Sequence, residues 1–302
     1  MSDRRNLVIV RAGEQSIHPS WLNAPTEARN WDLIVSYFGK DPEKYRGADW
    51  IRADGQGLKF QALYDLISSQ EDLIRRYDYI WFPDEDLACT CRDINRFFDR
   101  CRERKLVLAQ PALTPDSYFA HAITIHSPYF QIRYTTFVEI MAPCLNSETL
   151  WKLLPTFKEN HSGYALDYLW PTQLGKDASR IAIVDDVLIR HTRPIGGGQY
   201  YQVLQSIGRN AYAESAELLK KHGISGYRFW VRRGVLKTGA EIPDGVRLRC
   251  FYGLGLLLAI PRLKMDWYRI PRFFLSGLWQ QIKGRRSADG NARLSVESSG
   301  SR

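Results

Sequence analysis

Short apolar runs alternate with stretches of helical period along the first part of this chain. Leu7–Val10 is a continuous apolar run closed by Arg-Ala-Gly, and Asp32–Phe38 is a second run, ending at Gly39. Between Gly57 and Arg76 the apolar positions Phe60, Leu63, Tyr64 and Ile67 recur at helical spacing. Tyr79–Phe82 reads as a third strand, stopped by Pro83. Ile94, Phe97, Phe98 and Cys101 then share one face of a predicted helix, and a strand over Leu106–Ala109 follows it. Strands alternating with helices imply βαβ units and a mixed, mainly parallel α/β sheet flanked by helices.

Beyond Pro111 the rhythm changes. Residues 111–131 read as loop, with His121 and His126 among several aromatics. Tyr134–Met141 has the pattern of a strand, Ser147–Phe157 that of a helix, and Gly163–Trp170 that of a short helix using Leu166, Leu169 and Trp170. Ile181–His191 holds two β-rich runs around Asp185-Asp186. Three glycines at 196–198 precede a predicted helix from Tyr200 to Lys221. The Ser/Gly-rich stretch from Ser287 is expected to be disordered.

Composition adds a boundary. The chain of 302 residues is 44% hydrophobic and 13% aromatic, too apolar for a disordered protein. Five scattered cysteines without a C-x-x-C pair suggest reduced thiols and a cytoplasmic location. No signal peptide and no spanning helix are expected. The net charge of +9 is concentrated late, because residues 227–286 hold 13 Lys/Arg against three Asp/Glu. The expected organisation is thus a near-neutral domain over 1–226, a basic, aromatic-rich extension over 227–286, and a tail over 287–302.

The chemistry centres on YDYIWFPDEDL at Tyr77–Leu87, an apolar strand that ends in three adjacent acids. Pro83 suits a strand end, and in an open parallel sheet ligands collect at the carboxyl ends of strands. Extended backbone would turn Asp84 and Asp86 to one side and Glu85 to the other. Two carboxylates on one side suit Mg²⁺ or Mn²⁺ with substrate phosphates completing the shell. Taken alone, a D-x-D pair reads more readily as a solvated acidic turn than as a cation site.

Four segments in order carry a resemblance: LVIVRAG, YIWFPDEDL, SGYALDYLW and VDDVLIRHTRPIG, spread over roughly residues 7–200. With them the chain resembles GT-A-type nucleotide-sugar glycosyltransferases, specifically an uncharacterised family of bacterial and plant proteins with that fold. The resemblance implies that Asp84 and Asp86 hold Mn²⁺ or Mg²⁺ and the nucleotide, with Glu85 able to exchange roles with either. It also implies that His191 closes the metal site and that Asp167 faces the acceptor.

The residue types suit that chemistry. A cation neutralises the leaving diphosphate, and a carboxylate such as Asp167 activates the attacking hydroxyl. Glu139, inside the apolar FVEIMAP, needs a partner or a function and is a second candidate base. Arg11 and Gly13 follow the first strand, where a base or ribose would approach. Asp54 and Lys59 flank a Gly-x-Gly turn opening a helix, which favours an anion.

The late segment interleaves Arg and Lys with Trp, Tyr, Phe and Leu, and Phe251–Ile260 is a dense apolar run. That pattern suits peripheral docking at the inner, anionic face of a membrane, or helices packed on the core. A nucleic-acid groove would hold fewer aliphatic residues, so no nucleic-acid partner is expected. The reading is a metal-dependent transferase moving sugar from a nucleotide diphosphate donor to a glycan or lipid-linked acceptor. Its rivals are a nucleotidyltransferase and a catalytically silent nucleotide-sugar-binding or membrane-scaffold protein.

Overall fold

A computed structural model of the chain describes residues 4–195, 199–224, 229–265, 268, 270–279 and 281. The strands are β1 (Asn6–Ala12), β2 (Trp31–Tyr37), β3 (Ile51–Asp54), β4 (Tyr79–Trp81), β5 (Leu87–Ala88), β6 (Leu108–Leu113), β7 (Phe130–Thr135), β8 (Cys144–Asn146), β9 (Ile181–His191), β10 (Val231–Leu236) and β11 (Glu241–Pro243). The helices include α1 (Lys59–Ser69), α2 (Glu71–Ile74), α3 (Cys91–Glu103), α4 (Ser147–Leu153) and α5 (Leu166–Gln173). After them come α6 (Gln199–Ser206), α7 (Ala211–Lys221) and α8 (Val246–Ala259).

The strands form one sheet in the order β3-β2-β1-β4-β8-β6-β9-β7-β10-β11, with β5 paired to the end of β9. β1 is parallel to β2 and β4, and β2 to β3. β8 runs against both β4 and β6, and β9 is parallel to β6. The carboxyl ends of β1, β2, β3, β4, β6 and β9 therefore face one edge. β7, β10 and β11 continue the sheet by antiparallel pairing. This is the expected mixed α/β sheet flanked by helices.

Alternation along β1 explains why both faces are covered. Val8, Val10 and Ala12 enter one core with Ile94, Phe97 and Phe98 of α3. Leu7 and Ile9 point the other way, into a core built from Phe60, Leu63 and Ile67 of α1, Leu150 of α4 and Trp170 of α5. Each such fully buried apolar side chain contributes about 1.5–3 kcal/mol over leaving it in water. α3 starts where Thr90 and Asp93 exchange hydrogen bonds in a capping box.

Several expectations need correction. The strand predicted over Tyr134–Met141 stops at Thr135, and residues 136–143 form a loop that carries Glu139. The helix predicted from Tyr200 to Lys221 is two helices, broken where Gly208 adopts φ +68° and Asn210 caps α7. Ser147–Phe157 begins as α4 but turns into 3₁₀ geometry at Leu154, ahead of Pro155. The runs around Asp185-Asp186 belong to one strand, β9, with a register shift against β6 there.

The boundary expected at residue 226 does not separate two bodies. β10 pairs with β7, and Leu248, Tyr252, Leu256 and Ala259 of α8 are buried in the main core. The tail 287–302 lies outside the described residues. Among the described residues no helix is long and apolar enough to cross a membrane.

Candidate active site

From the β1/β4 junction the sheet winds outward in two directions, through β2 and β3 on one side and through β8 and β6 on the other. Ligands collect in the crevice outside the carboxyl ends at such a switch point. Gly13 follows β1, Phe38 follows β2, Asp54 ends β3 and Asp84 follows β4, so the predicted residues reach the same edge. His191 ends β9 and is brought alongside by its pairing with Leu87 of β5.

Each acid of the triplet has its own cation. Lys59, the first residue of α1, donates to Asp84 Oδ1 at 2.6 Å and to the carbonyls of Ile140 at 2.9 Å and Met141 at 3.3 Å. Glu85 accepts from the Gly13 amide at 2.5 Å and from Arg193 at 3.1 Å. Asp86 Oδ2 lies 3.1 Å from His191 Nε2. Adjacent carboxylates are tolerated because three separate positive groups hold them apart.

His191 is a cation in this setting. Its Nδ1 is 2.8 Å from the Tyr118 carbonyl, which can only accept, so that nitrogen carries a proton. Burial opposes charge on the ring. The hydrogen bond and charge of Asp86, the Tyr118 carbonyl and the charge of Asp84 outweigh it and raise His191 to about 9. Nε2, the nitrogen left facing the triplet, is taken up by Asp86.

The expected Mn²⁺ or Mg²⁺ site over Asp84, Glu85, Asp86 and His191 does not fit this arrangement. Glu85 is committed to Gly13 and Arg193, Asp84 is shared with Lys59, and His191 is protonated. Among the described residues no group of three or more His, Cys, Asp or Glu side chains stands together as a cation site.

Two other carboxyls lie deeper. Glu139, on the loop after β7, is buried, and its Oε2 has no hydrogen-bond partner. Its amide donates to the side chain of Gln110, which is itself fully buried in β6, at 2.6 Å. Burial raises Glu139 to about 7, the charges of His191 and Lys59 pulling down and that of Asp84 pushing up. Asp167, in the first turn of α5, is also buried and has an Oδ1 without a partner. Burial first, and the Glu139 charge second, push Asp167 well above the usual carboxylate range.

Local backbone sets Asp167 in place. Ala165, just before α5, adopts φ +73°, and Gly163 adopts φ +70° with Phe60 so close that a Cβ would meet its ring at 2.4 Å. A left-handed alanine costs roughly 1–2 kcal/mol and persists only where surrounding structure enforces it. Asn160 does so, accepting from Gly163 N at 2.7 Å and donating to the Tyr164 carbonyl at 2.8 Å.

The remaining predicted residues shape the rim. Arg11 is buried, hydrogen-bonds Ser36 Oγ at 3.0 Å and the Gly57 carbonyl at 2.8 Å, and lies over the Phe38 ring. Burial lowers Arg11 to about 10 while Glu85 raises it, so the guanidinium stays charged at neutral pH. A Cβ at Gly13 would meet the tip of the Phe38 ring at 2.7 Å, so a larger residue here would have to displace that ring. Asp54 is solvent-exposed and pairs with Arg52 at 2.7 Å, apart from the carboxyl cluster.

Sequence reasoning missed Arg193 and Gln110. Arg193 stands two residues after His191 in HTRPIG, a basic residue in a segment already singled out. Gln110 was visible only as one polar side chain in an apolar strand.

No family model matches this sequence, and no curated protein matches it. Among solved structures that superpose on the chain is one from Desulfovibrio desulfuricans G20 described as a "putative nucleotide-diphospho-sugar transferase". It is 11% identical with a TM-score of 0.39, over 74% of this chain and 97% of that one. At that distance the likeness bears on neither fold nor function.

Proposed function

We propose that this chain transfers a glycosyl group from a nucleotide-diphosphate-activated sugar to a hydroxyl of a glycan or lipid-linked acceptor. One observation carries the reading. Lys59, fixed at the carboxyl edge of the switch point, stands beside Glu139, and Glu139 beside Asp167, two buried carboxyls each with an oxygen that has no partner. Such a set suits a reaction that separates an anionic leaving group from a hydroxyl nucleophile. Arg11 and Asp167 belong to the segments that resemble GT-A-type glycosyltransferases, while Lys59 and Glu139 lie outside them.

Glu139 is the base in this scheme, because a carboxyl raised to about 7 is matched to accepting a proton at neutral pH. It takes the acceptor hydroxyl's proton as that oxygen bonds to the anomeric carbon. The bond from that carbon to the diphosphate oxygen breaks, and its electron pair leaves with the nucleoside diphosphate. Lys59 faces the charge that develops there. Asp167, held neutral, donates a hydrogen bond and orients the acceptor. Arg11 fixes the Gly55–Gly57 turn through the Gly57 carbonyl, shaping the nucleotide side.

Incubation with labelled nucleoside diphosphate sugars and a glycan and lipid acceptor panel tests the proposal. Label in the acceptor with free nucleoside diphosphate supports it. Release of pyrophosphate with a nucleotidyl product assigns the site to nucleotidyl transfer, and donor binding without turnover assigns it to a silent binding protein.

A further inference from the structure

α8 is apolar on two sides. Leu248, Tyr252, Leu256 and Ala259 are buried, while Leu254, Leu257 and Leu258 stand 47%, 46% and 56% exposed. Between Arg249 and Arg262 the sequence holds no charged residue. A surface helix ordinarily turns polar side chains outward, and one apolar all round is normally covered.

The helix cannot roll to hide these leucines. A Cβ at Gly255 would meet Ser127 Oγ at 2.3 Å, and one at Gly253 would meet Leu278 at 3.2 Å. The helical residues 270–279 pack equally closely, since a Cβ at Gly277 would meet Leu256 at 3.1 Å. Tyr129 meets Phe251 edge-on at 5.3 Å and anchors the start of α8. Glycine contacts thus fix a two-helix platform on which Leu275 is also exposed.

Charge identifies what covers it. Arg247, Arg262, Lys264 and Arg272 are exposed around the leucines, in a segment with 13 Lys/Arg against three Asp/Glu. A second copy of the chain docked symmetrically would bring these basic groups against one another. An anionic bilayer offers both an apolar interior for the leucines and negative headgroups for the rim. Tyr268 and Trp279, both exposed, suit the headgroup level.

We infer that the outer face of α8 and residues 270–279 docks peripherally on an anionic lipid bilayer, Leu254, Leu257 and Leu258 entering the headgroup boundary and the basic rim meeting the headgroups. This goes beyond the transfer reaction and does not depend on it. The rigid attachment of α8 to the core means the whole chain is held at the surface in one orientation.

Co-sedimentation of the full chain with vesicles of phosphatidylglycerol and phosphatidylcholine, against phosphatidylcholine alone, tests the inference. Binding to the mixed vesicles is expected to be at least about tenfold stronger and to weaken with salt. Leu254→Gln, Leu257→Gln and Leu258→Gln together are expected to weaken it about tenfold or more. Arg262→Gln with Arg272→Gln, at exposed positions, is expected to weaken it by about tenfold or more, and keeps the test alive should the leucine variant not fold. Equal partitioning to both vesicle types, partitioning to neither, or binding indifferent to the Arg262 and Arg272 changes would overturn it. A dimer of the intact chain, lost in the leucine variant and without vesicle binding, would assign the face to a second copy instead.

Discussion

Lys59 Nζ lies 2.6 Å from Asp84 and 2.9 Å from the Ile140 carbonyl, so one ammonium ties the start of α1, the acid after β4 and the Glu139 loop together. The side chain of Lys59 is 14% exposed and that of Asp84 38%, so their attraction is partly screened. A double-mutant cycle of Lys59→Met and Asp84→Asn, read by denaturant unfolding, is therefore expected to show a coupling of only about 0.5–1 kcal/mol. Lys59→Met alone is expected to cost about 1–3 kcal/mol through the Ile140 carbonyl it leaves unpaired, the Met141 carbonyl keeping the Asp84 amide. A coupling that accounts for all of the Lys59 cost would contradict this division.

In the proposed reaction Glu139 sets the acid limb. A base must be deprotonated to act, and Glu139 is raised to about 7, so turnover should fall as pH drops below that value. Glu139→Gln should remove about 10²–10⁴ of turnover and with it the acid limb, while donor affinity changes little. Asp167→Asn keeps shape and hydrogen-bonding capacity, so its loss should be the smaller of the two. Steady-state rates across pH for both variants decide; the opposite ranking would move the base to Asp167.

Divalent metal is expected to matter less than Lys59. The acids of the triplet are held by Lys59, Arg193 and His191, and His191 is protonated up to about 9. Chelator-treated protein should bind nucleoside diphosphate with an affinity that added Mn²⁺ changes less than Lys59→Ala does. Calorimetric titration with and without Mn²⁺ measures this, and binding that appears only with Mn²⁺ would show the carboxylates rearranging around a cation.

Truncation after residue 226 should unfold or aggregate the protein. It removes β10, two neighbours of which are β7 and β11, and strips Tyr252 and Leu256 from the core. Circular dichroism and solubility of the truncated chain check this; a soluble, cooperatively folding product would restore a boundary there.

The parallel half of the sheet was legible because β1, β2 and β4 are buried on both faces and read as continuous apolar runs. α3 was legible from its amphipathic period. β3 was not, since Ile51–Asp54 is a partly exposed edge strand with one apolar side chain larger than alanine. β8 is three residues long and β10 carries Arg232 and Arg233, so neither has a period to read.

The acidic triplet stood out by composition, but the cations that hold it come from α1, the end of β9 and the segment after it. No local pattern pairs Lys59 with Asp84. The Glu139 loop reads as strand because FVEIMAP is apolar, but its backbone bonds to the segment after β4 are those that the Met141 and Pro143 carbonyls accept, and no strand forms over 136–143.

Calorimetric titration of the intact protein and of Lys59→Ala with a panel of nucleoside diphosphate sugars decides whether the carboxyl edge of β1 and β4 holds a donor. Saturable binding of at least one such donor is expected, weakened about tenfold or more in Lys59→Ala while Tm shows the variant still folded. Absence of binding by every donor, or a bound donor whose affinity Lys59→Ala leaves unchanged, would contradict a nucleotide-sugar site at the carboxyl edge of β1 and β4.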